Sequence, residues 1–221
     1  TEARAVLGAD CPVVIAPLMR TVWQGALPDM TDIGDLIFTS ETALRGFCRL
    51  SPRRDMRAWC VGARTASAAK AAGFDVRQGP GDAVGLAALI AATGTGRRYV
   101  WPHGTHVACD MGALLSSAGT ETIPTVVYDQ QTLPLRAAAQ DLLSRPDPVL
   151  LPLFSPRSAR LFLMAVASLP LNAPLYLASL GPEIDAAAAP LAAHHRRIAA
   201  RPDTGALLAA LTELAEIAAL G

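Results

Sequence analysis

Residues 36–47, with the sequence Leu-Ile-Phe-Thr-Ser-Glu-Thr-Ala-Leu-Arg-Gly-Phe, read as a buried strand that passes directly into a helix. The apolar run ends in Thr39 and Ser40, and side chains of this type cap helix N termini. The same arrangement returns at residues 151–162, Leu-Pro-Leu-Phe-Ser-Pro-Arg-Ser-Ala-Arg-Leu-Phe, where Ser155 takes the place of Ser40. A strand, a serine and a helix therefore occur twice in one chain.

Two further pairs extend this repeat in the same order. Gly62 corresponds to Gly181, each after a predicted strand, and Asp82 corresponds to Asp203, each before a predicted helix. An ordered series of matching elements predicts a duplicated α/β domain. We expect an inserted domain over residues 28–128 and a second, discontinuous domain made of residues 1–24 and 132–221.

Short apolar runs alternate with Ala- and Leu-rich helical runs along the chain. This alternation predicts an α/β fold of parallel sheets flanked by helices. Together with the repeat it predicts two similar lobes, one of them discontinuous, between which the chain crosses twice. The predicted strands are Pro12–Leu18, Leu36–Thr39, Ala58–Val61, Arg98–Trp101, Thr122–Tyr128, Val149–Phe154 and Leu175–Ala178. The predicted helices are Glu41–Cys48, Arg64–Ala72, Val84–Ala92, Val107–Ala118, Ser158–Ala167, Ile184–Ala192 and Thr204–Leu220, with a helix end at Glu2–Leu7.

Composition excludes several classes of protein. The 221 residues are 52% hydrophobic and 17% charged, which is enough apolar material for a sizeable core. Lys+Arg 19 balances Asp+Glu 19, whereas a nucleic-acid or anionic-membrane binder normally carries a basic excess. Four cysteines without a CxxC pair suit a reducing compartment, and no leader is visible in the first residues. We therefore expect a cytoplasmic protein that binds neither nucleic acid nor membrane.

The common catalytic and cofactor motifs are absent. The glycines at 79, 81 and 85 miss the dinucleotide-binding spacing, and neither a phosphate-binding P-loop nor a GxSxG elbow occurs. His103, His106 and Cys109 do not follow a recognised zinc spacing, and His194-His195 stands beside two arginines and is expected on a solvated face. We predict no metal and no cofactor.

A different feature recurs instead, at five places where a strand ends in small polar residues or glycine and a helix follows. Free backbone N–H groups and the positive end of the helix favour anions there, and ligands of open α/β folds bind at this edge of the sheet. Ordinary capping explains any single instance, but five instances in two lobes indicate a polyanionic ligand held between them. The five are Thr39-Ser40, Gly62–Thr65, His103–Thr105, Ser155-Pro156 and Gly181-Pro182.

These residues also carry a family resemblance. The stretches 36–40, 61–66, 71–74, 114–119 and 126–128, followed by 154–158, 180–182 and 202–208, resemble the uroporphyrinogen-III synthase family in order and spacing. The resemblance implies an enzyme that converts hydroxymethylbilane, a linear tetrapyrrole with eight carboxylates, into uroporphyrinogen III by loss of water and inversion of the terminal ring. It implies two α/β lobes joined by a two-stranded linker, and a monomer without metal or cofactor. In this linker Tyr128 assists departure of the substrate hydroxyl.

The resemblance, together with the strand-end pattern, yields a set of site residues. Tyr128 is the predicted catalytic residue, although a tyrosine that only packs the linker fits the same position. We expect the substrate carboxylates to be bound by Thr39, Ser40, Gly62, Thr65, Gly104, Ser155 and Gly181, with Arg45, Arg64 and Arg157 as weaker candidates.

Two departures from the family leave an alternative open. The family's opening strand, which ends in Thr-Arg-Pro, has no counterpart before Glu2. The family's Gly-Pro-Thr-Thr-Ala becomes Gly181-Pro182-Glu183-Ile184-Asp185 here, so an acid and an apolar residue replace its two hydroxyl residues. The carboxylates of Glu183 and Asp185 would repel an anionic ligand there. The alternative is a non-catalytic paralogue that binds a tetrapyrrole or another polyanion between its lobes; a two-lobed solute receptor is a further option.

Overall fold

The computed structural model describes residues 11–93 and 98–220, which form a mixed α/β protein with two sheets. The larger sheet has the strand order β1-β6-β5-β2-β3-β4, and the smaller has the order β7-β8-β9. The expected fold class, parallel sheets flanked by helices, is confirmed. The strands are β1 (Met19–Trp23), β2 (Ile33–Phe38), β3 (Arg57–Cys60), β4 (Asp75–Gln78), β5 (Arg98–Gly104), β6 (Thr122–Thr132), β7 (Val149–Leu153), β8 (Leu175–Ser179) and β9 (Ala193–Ile198).

Helices follow most of the strands. They are α1 (Glu41–Leu50), α2 (Ala63–Ala71), α3 (Ala83–Ala92), α4 (Met111–Ser116), α5 (Ala137–Ser144), α6 (Pro156–Val166), α7 (Pro182–Ala187) and α8 (Thr204–Leu220). None of the helices within residues 11–93 and 98–220 is both long and apolar enough to cross a membrane.

The contacts between residues divide the chain into two compact units, each with most of its contacts inside itself. One unit is Thr21–Gln131, and the other combines the residues up to Arg20 with those from Thr132 onward, of which 11–20 and 132–220 are described. The chain therefore passes between the units twice, within β1 and within β6. That the units are separate domains with the predicted boundaries stays a prediction.

The larger sheet is covered by helices on both faces. On one face α1 and α2 bury Phe47 and Ala69 against Phe38, and on the other α3 and α4 bury Ile90 and Leu115 against neighbouring strands. β2 pairs in parallel with β3 on one side and with β5 on the other. After β2 the chain adds β3 and β4 on one side of it and then β5 and β6 on the other. The ends of β2 and β5 therefore flank a topological switch point.

The smaller sheet is built in the same way. β8 lies between β7 and β9, pairs with both in parallel, and is buried along its whole length. Phe162 of α6 and Ile184 of α7 pack in one core cluster, whereas Leu207 and Leu214 of α8 pack with Tyr176 in another. Helices thus cover both faces of this sheet too.

Several predicted elements differ from the structure. Residues 12–18 form no strand, because Pro12 and Pro17 lack the N–H groups that a sheet ladder needs; they border an apolar cavity of about 600 Å³ beside β7. The strand of this region is β1, seven residues later than predicted at its start. The helix expected at Val107 begins at Met111, where Asp110 accepts a hydrogen bond from the Ala113 N–H.

Other differences concern short and polar elements. β4 and β9 were not predicted, because Asp-Val-Arg-Gln and Ala-His-His-Arg-Arg-Ile lack an apolar run. The helix predicted to reach Ala192 ends at Ala187, ahead of β9. The helix end predicted at Glu2–Leu7 lies outside the described residues, and the long helix predicted at Thr204–Leu220 is confirmed.

Candidate functional site

Six of the eight predicted site residues lie along one edge of the larger sheet. Since β5, β2 and β3 are neighbours and parallel, their carboxyl ends bring Gly104, Thr39-Ser40 and Gly62 side by side. Thr65 lies in the first turn of α2, and Tyr128 on β6 is the register partner of Gly104. Ser155 and Gly181 lie at the corresponding ends of β7 and β8 in the smaller sheet.

A β-bulge directs the side chain of Tyr128. His103 pairs with Val126 and Gly104 pairs with Tyr128, so Val127 is an extra residue on β6. Adjacent strand residues normally point to opposite faces, yet Val127 and Tyr128 belong to the same core cluster. The bulge therefore turns the tyrosine ring to lie over the end of β5.

The tyrosine is 8% exposed, and none of the described residues forms a hydrogen bond with its hydroxyl. Its ring meets the Trp23 ring edge to face, with centroids 6.4 Å apart. The Tyr128 carbonyl accepts hydrogen bonds from the backbone N–H of Thr105 at 3.0 Å and from the Thr105 hydroxyl at 3.5 Å. Backbone and ring are thus held, while the hydroxyl is left for an outside partner.

Two aromatic residues of β5 lie beside Thr39 at the switch point. Trp101 donates its indole N–H to the Thr39 hydroxyl at 3.3 Å, so that oxygen is already an acceptor. His103 stacks on Trp101, with centroids 4.3 Å apart, and its Nδ1 lies 2.8 Å from the Gly104 carbonyl oxygen. Thr39 still has its own O–H to donate to a ligand.

Ser40 caps α1, as its sequence position predicts. Its hydroxyl oxygen accepts from the Ala43 N–H at 3.1 Å, and its hydrogen remains available to donate. Glu41 follows in the first turn and pairs with both Arg45 and Arg64. These two arginines therefore compensate a carboxylate beside the helix N terminus, which is a different task from binding a ligand.

The N terminus of α2 differs because no side chain caps it. Gly62 stands at the cap position, where a side chain would otherwise bond the first-turn N–H groups. Thr65 is 6% exposed, and its hydroxyl has no hydrogen-bond partner within residues 11–93 and 98–220. Backbone amides and one hydroxyl are consequently available for an anion at this point.

Cys60, the last residue of β3, lies two residues before Gly62 but is not a nucleophile. It is fully buried, and burial raises the pKa of its thiol to about 12. A thiol in this state is protonated at neutral pH and unreactive.

The smaller sheet offers fewer free groups. Ser155 and Ser158 form a capping box in which each side chain accepts from the other's backbone N–H at 3.1 Å. Gly181 begins α7 with no capping side chain, and a Cβ atom built on it would meet nothing within 4 Å. Gly181 thus leaves open space at the end of β8.

The charge of the Asp185 carboxylate, which was expected to repel an anionic ligand, is compensated by an ion pair. Arg196 of β9 donates to it at 3.1 Å, and the same guanidinium donates to the carbonyls of Ala188 at 2.9 Å and Leu191 at 2.7 Å. Of the two histidines expected on a solvated face, His194 is exposed, whereas His195 is half-buried, as is Arg196 next to it. Glu183 remains exposed in the first turn of α7.

Sequence reasoning missed several aromatic and amide residues at this edge of the sheet. Trp23, Gln24 and Trp101 were not predicted to belong to the site, and His103 was named only as part of the strand-end segment His103–Thr105 and as a rejected metal ligand. The spacing of Trp101 and His103 was the available signal, because residues two apart on a strand share a face. The predicted strand ended at Trp101, whereas β5 continues to Gly104, so the shared face was not recognised.

Parallel sheets whose carboxyl ends present hydroxyls and uncapped helix N termini define an α/β protein suited to an anionic ligand. The model of a protein family, uroporphyrinogen-III synthase HemD, matches residues 3–209. The chain belongs to the uroporphyrinogen-III synthase family, as the resemblance predicted. The family's activity, a cyclising lyase reaction of haem biosynthesis on a tetrapyrrole substrate, is therefore the activity of this chain.

Solved structures agree on the fold. Uroporphyrinogen-III synthetase from Helicobacter pylori is 18% identical, with a TM-score of 0.72 over 89% of this chain and 91% of that one. A mutant uroporphyrinogen III synthase from the extremely thermophilic bacterium Thermus thermophilus is 14% identical, with a TM-score of 0.57 over 99% of this chain and 94% of that one. No curated protein matches the sequence significantly.

Proposed function

We propose that the sheet edge around Tyr128 is where this chain closes hydroxymethylbilane to uroporphyrinogen III. One observation carries the proposal: the Tyr128 hydroxyl, the hydroxyls of Thr39 and Ser40, and the uncapped start of α2 all lie at the carboxyl edge of a single sheet. A tyrosine hydroxyl without a hydrogen-bond partner in the described part of the chain, together with several anion-binding donors, thus lines one edge.

Tyr128 acts at the first step. The pyrrole nitrogen expels the hydroxymethyl oxygen, which leaves as water. The required proton comes from the Tyr128 O–H, or from solvent where Tyr128 only donates a hydrogen bond. The resulting cation is attacked by the substituted carbon of the terminal ring, giving a spiro intermediate that reopens and closes with this ring inverted. A proton lost from the ring carbon restores the charge balance.

The remaining residues hold the carboxylates. Gly62 and Thr65 bind one carboxylate through backbone N–H groups and a hydroxyl, and Thr39 and Ser40 donate to another. Ser155 and Gly181 act in the same way at the smaller sheet. Positioning of this kind suffices, because loss of the hydroxyl is chemically easy and the choice of the attacking carbon is the difficult part.

Isomer analysis tests the proposal. Hydroxymethylbilane is added, the product is oxidised, and isomers I and III are separated by chromatography. Parent enzyme forms isomer III, and Tyr128→Phe is expected to lower kcat about 10- to 100-fold, the lower part of the range for general acids. Formation of isomer I alone by the parent, at the spontaneous rate, contradicts the enzyme and favours the non-catalytic binder.

Thr65→Val tests the carboxylate subsite. The substitution keeps the shape of the buried side chain and removes one donor to a charged group, so KM is expected to rise about tenfold with kcat nearly unchanged. Thr212→Val is the matched control, because this helix threonine bonds only its own Leu208 carbonyl. An unchanged KM for Thr65→Val excludes this subsite.

We further propose that the enzyme works as a cytoplasmic monomer without nucleic-acid partners. The equal numbers of acidic and basic residues and the four free cysteines support this. Light scattering checks the oligomeric state against the chain mass of 23.0 kDa.

A further inference from the structure

We infer that Gly104 and Trp23 are positioning residues for Tyr128: together they set where its hydroxyl lies at the sheet edge, and through it the ratio of the two product isomers. The inference rests on the proposed role of Tyr128 and assigns the residues on which that role depends.

Gly104 leaves the space that the tyrosine ring occupies. A Cβ atom built on Gly104 would stand 2.6 Å from Cε2 and Cζ of Tyr128 and 2.9 Å from its hydroxyl oxygen. Real Cβ atoms do not approach other heavy atoms so closely, so any side chain here must displace the ring. The atoms displaced first are those that carry the hydroxyl.

Trp23 limits the ring from another side. Its indole meets Tyr128 edge to face at an interplanar angle of 69°, and the Arg49 guanidinium lies 5.2 Å above the indole. Gln24, the next residue, donates its N–H to the Val127 carbonyl at 3.2 Å and its side-chain amide to the Thr105 hydroxyl at 2.9 Å. β1 is thereby fastened to the bulge of β6 and to the residue after β5.

These contacts fix an orientation more than they stabilise a core. Trp23 is 37% exposed, which is more than a residue that serves only to fill a core shows. The β-bulge directs the Tyr128 ring, the absent side chain at Gly104 leaves room for it, and the Trp23 ring packs against it. A tyrosine turned away from this position would assist the departing hydroxyl less well, and spontaneous closure to isomer I would then compete.

The test is a double-mutant cycle between Gly104→Ala and Tyr128→Phe. Displacing a reacting group by about 1 Å costs up to a hundredfold, so Gly104→Ala alone is expected to lower kcat about 10- to 100-fold, with a smaller change in KM and a larger share of isomer I. In the Tyr128→Phe background, the same substitution is expected to change kcat less than about twofold, because the hydroxyl it acts through is gone.

Trp23→Ala provides a second route that does not disturb the interior. It is expected to lower kcat and the share of isomer III, and Trp23→Phe, which keeps a ring against Tyr128, is expected to restore most of both. Gly205→Ala is the control glycine, since a Cβ built there is 3.4 Å from the Asp203 carboxylate oxygen and clashes with nothing. Its kinetics should equal those of the parent.

The outcomes separate the inference from the proposed function. If Tyr128→Phe is slow but Gly104→Ala and Trp23→Ala match the parent, the positioning role is overturned and the tyrosine keeps its role. If Gly104→Ala is equally harmful in both backgrounds, the glycine acts independently of the hydroxyl and the inference fails. If Tyr128→Phe turns over at the parental rate, both fail.

Discussion

The Cys60 thiol lies beside the proposed site, but its burial decides its chemistry. Because burial raises the pKa of this thiol to about 12, the thiolate that alkylating agents attack is nearly absent at pH 8. We expect iodoacetamide at pH 8 to label Cys11 and Cys109, both partly exposed, well before Cys60. Mass spectrometry of peptides after timed quenching measures this order.

The pH dependence of this group has a defined sign. A thiol whose pKa is higher in the folded state contributes stability below its ordinary pKa, near 9, and loses that contribution as the pH rises toward about 12. Labelling of Cys60 should therefore accelerate only at alkaline pH or in denaturant. Labelling of Cys60 as fast as Cys109 at pH 8 in the native protein contradicts the structure.

At the scale of single residues, local roles were predictable and distant partners were not. Ser40 and Ser155 were expected as helix caps because a cap acts within three residues, and both are caps. The partner of Asp185 was not predictable, because Arg196 reaches it from β9, whose polar sequence does not predict a strand. A carboxylate expected to repel a ligand is instead part of an ion pair.

At the scale of elements, Arg196 joins α7 to β9. Its guanidinium binds Asp185 within the helix and the carbonyls of Ala188 and Leu191 after it, with 28% of the side chain exposed. Arg196→Lys keeps the charge but cannot reach all these acceptors, so we expect the free energy of unfolding to fall by about 1–3 kcal/mol. Urea denaturation followed by circular dichroism measures the change.

The neighbouring arginine supplies the matched control. Arg197 pairs with Glu213 at 3.3 Å, and both side chains are largely exposed. Since exposed ion pairs contribute little, Arg197→Lys should alter the free energy of unfolding by less than about 0.5 kcal/mol. Equal effects of the two substitutions would show that the Arg196 contacts do not stabilise this corner of the sheet.

Elements were predictable where apolar periodicity marked them. β2, β3, β7 and β8 have buried apolar runs, and their predicted positions match to within two or three residues. β4 was not predicted because it is an edge strand, where no apolar run is needed: Asp75 is the register partner of Arg57, and Arg77 that of Trp59. Residues 12–18 were mistaken for a strand from their apolar character alone. Edge strands thus set the limit of periodicity as a guide.

At the scale of the whole molecule, the repeat predicted two sheets but not the detail of the site. The order of matching strand–helix units follows from sequence, because each match is local. The bulge that turns Tyr128 over Gly104 depends on the register between β5 and β6, which sequence separated by 24 residues does not reveal. The fold and the sheet edge that carries the site could therefore be predicted from the sequence, whereas the orientation of the Tyr128 ring could not.

The proposed domain organisation makes a prediction that uses the distribution of tryptophan. Trp23, Trp59 and Trp101 all belong to Thr21–Gln131, so tryptophan fluorescence follows that unit alone, whereas far-UV circular dichroism follows both. Leu177 is fully buried in β8, and Leu177→Ala should remove about 2–5 kcal/mol from the stability of the other unit. If the units are separate domains, the urea midpoint by fluorescence stays near that of the parent, while the dichroism transition moves to lower urea and broadens into two steps. A parallel shift of both signals would mean one cooperative fold, and the boundaries of the two units at Arg20 and Gln131 would then mark a change of sheet within a single domain.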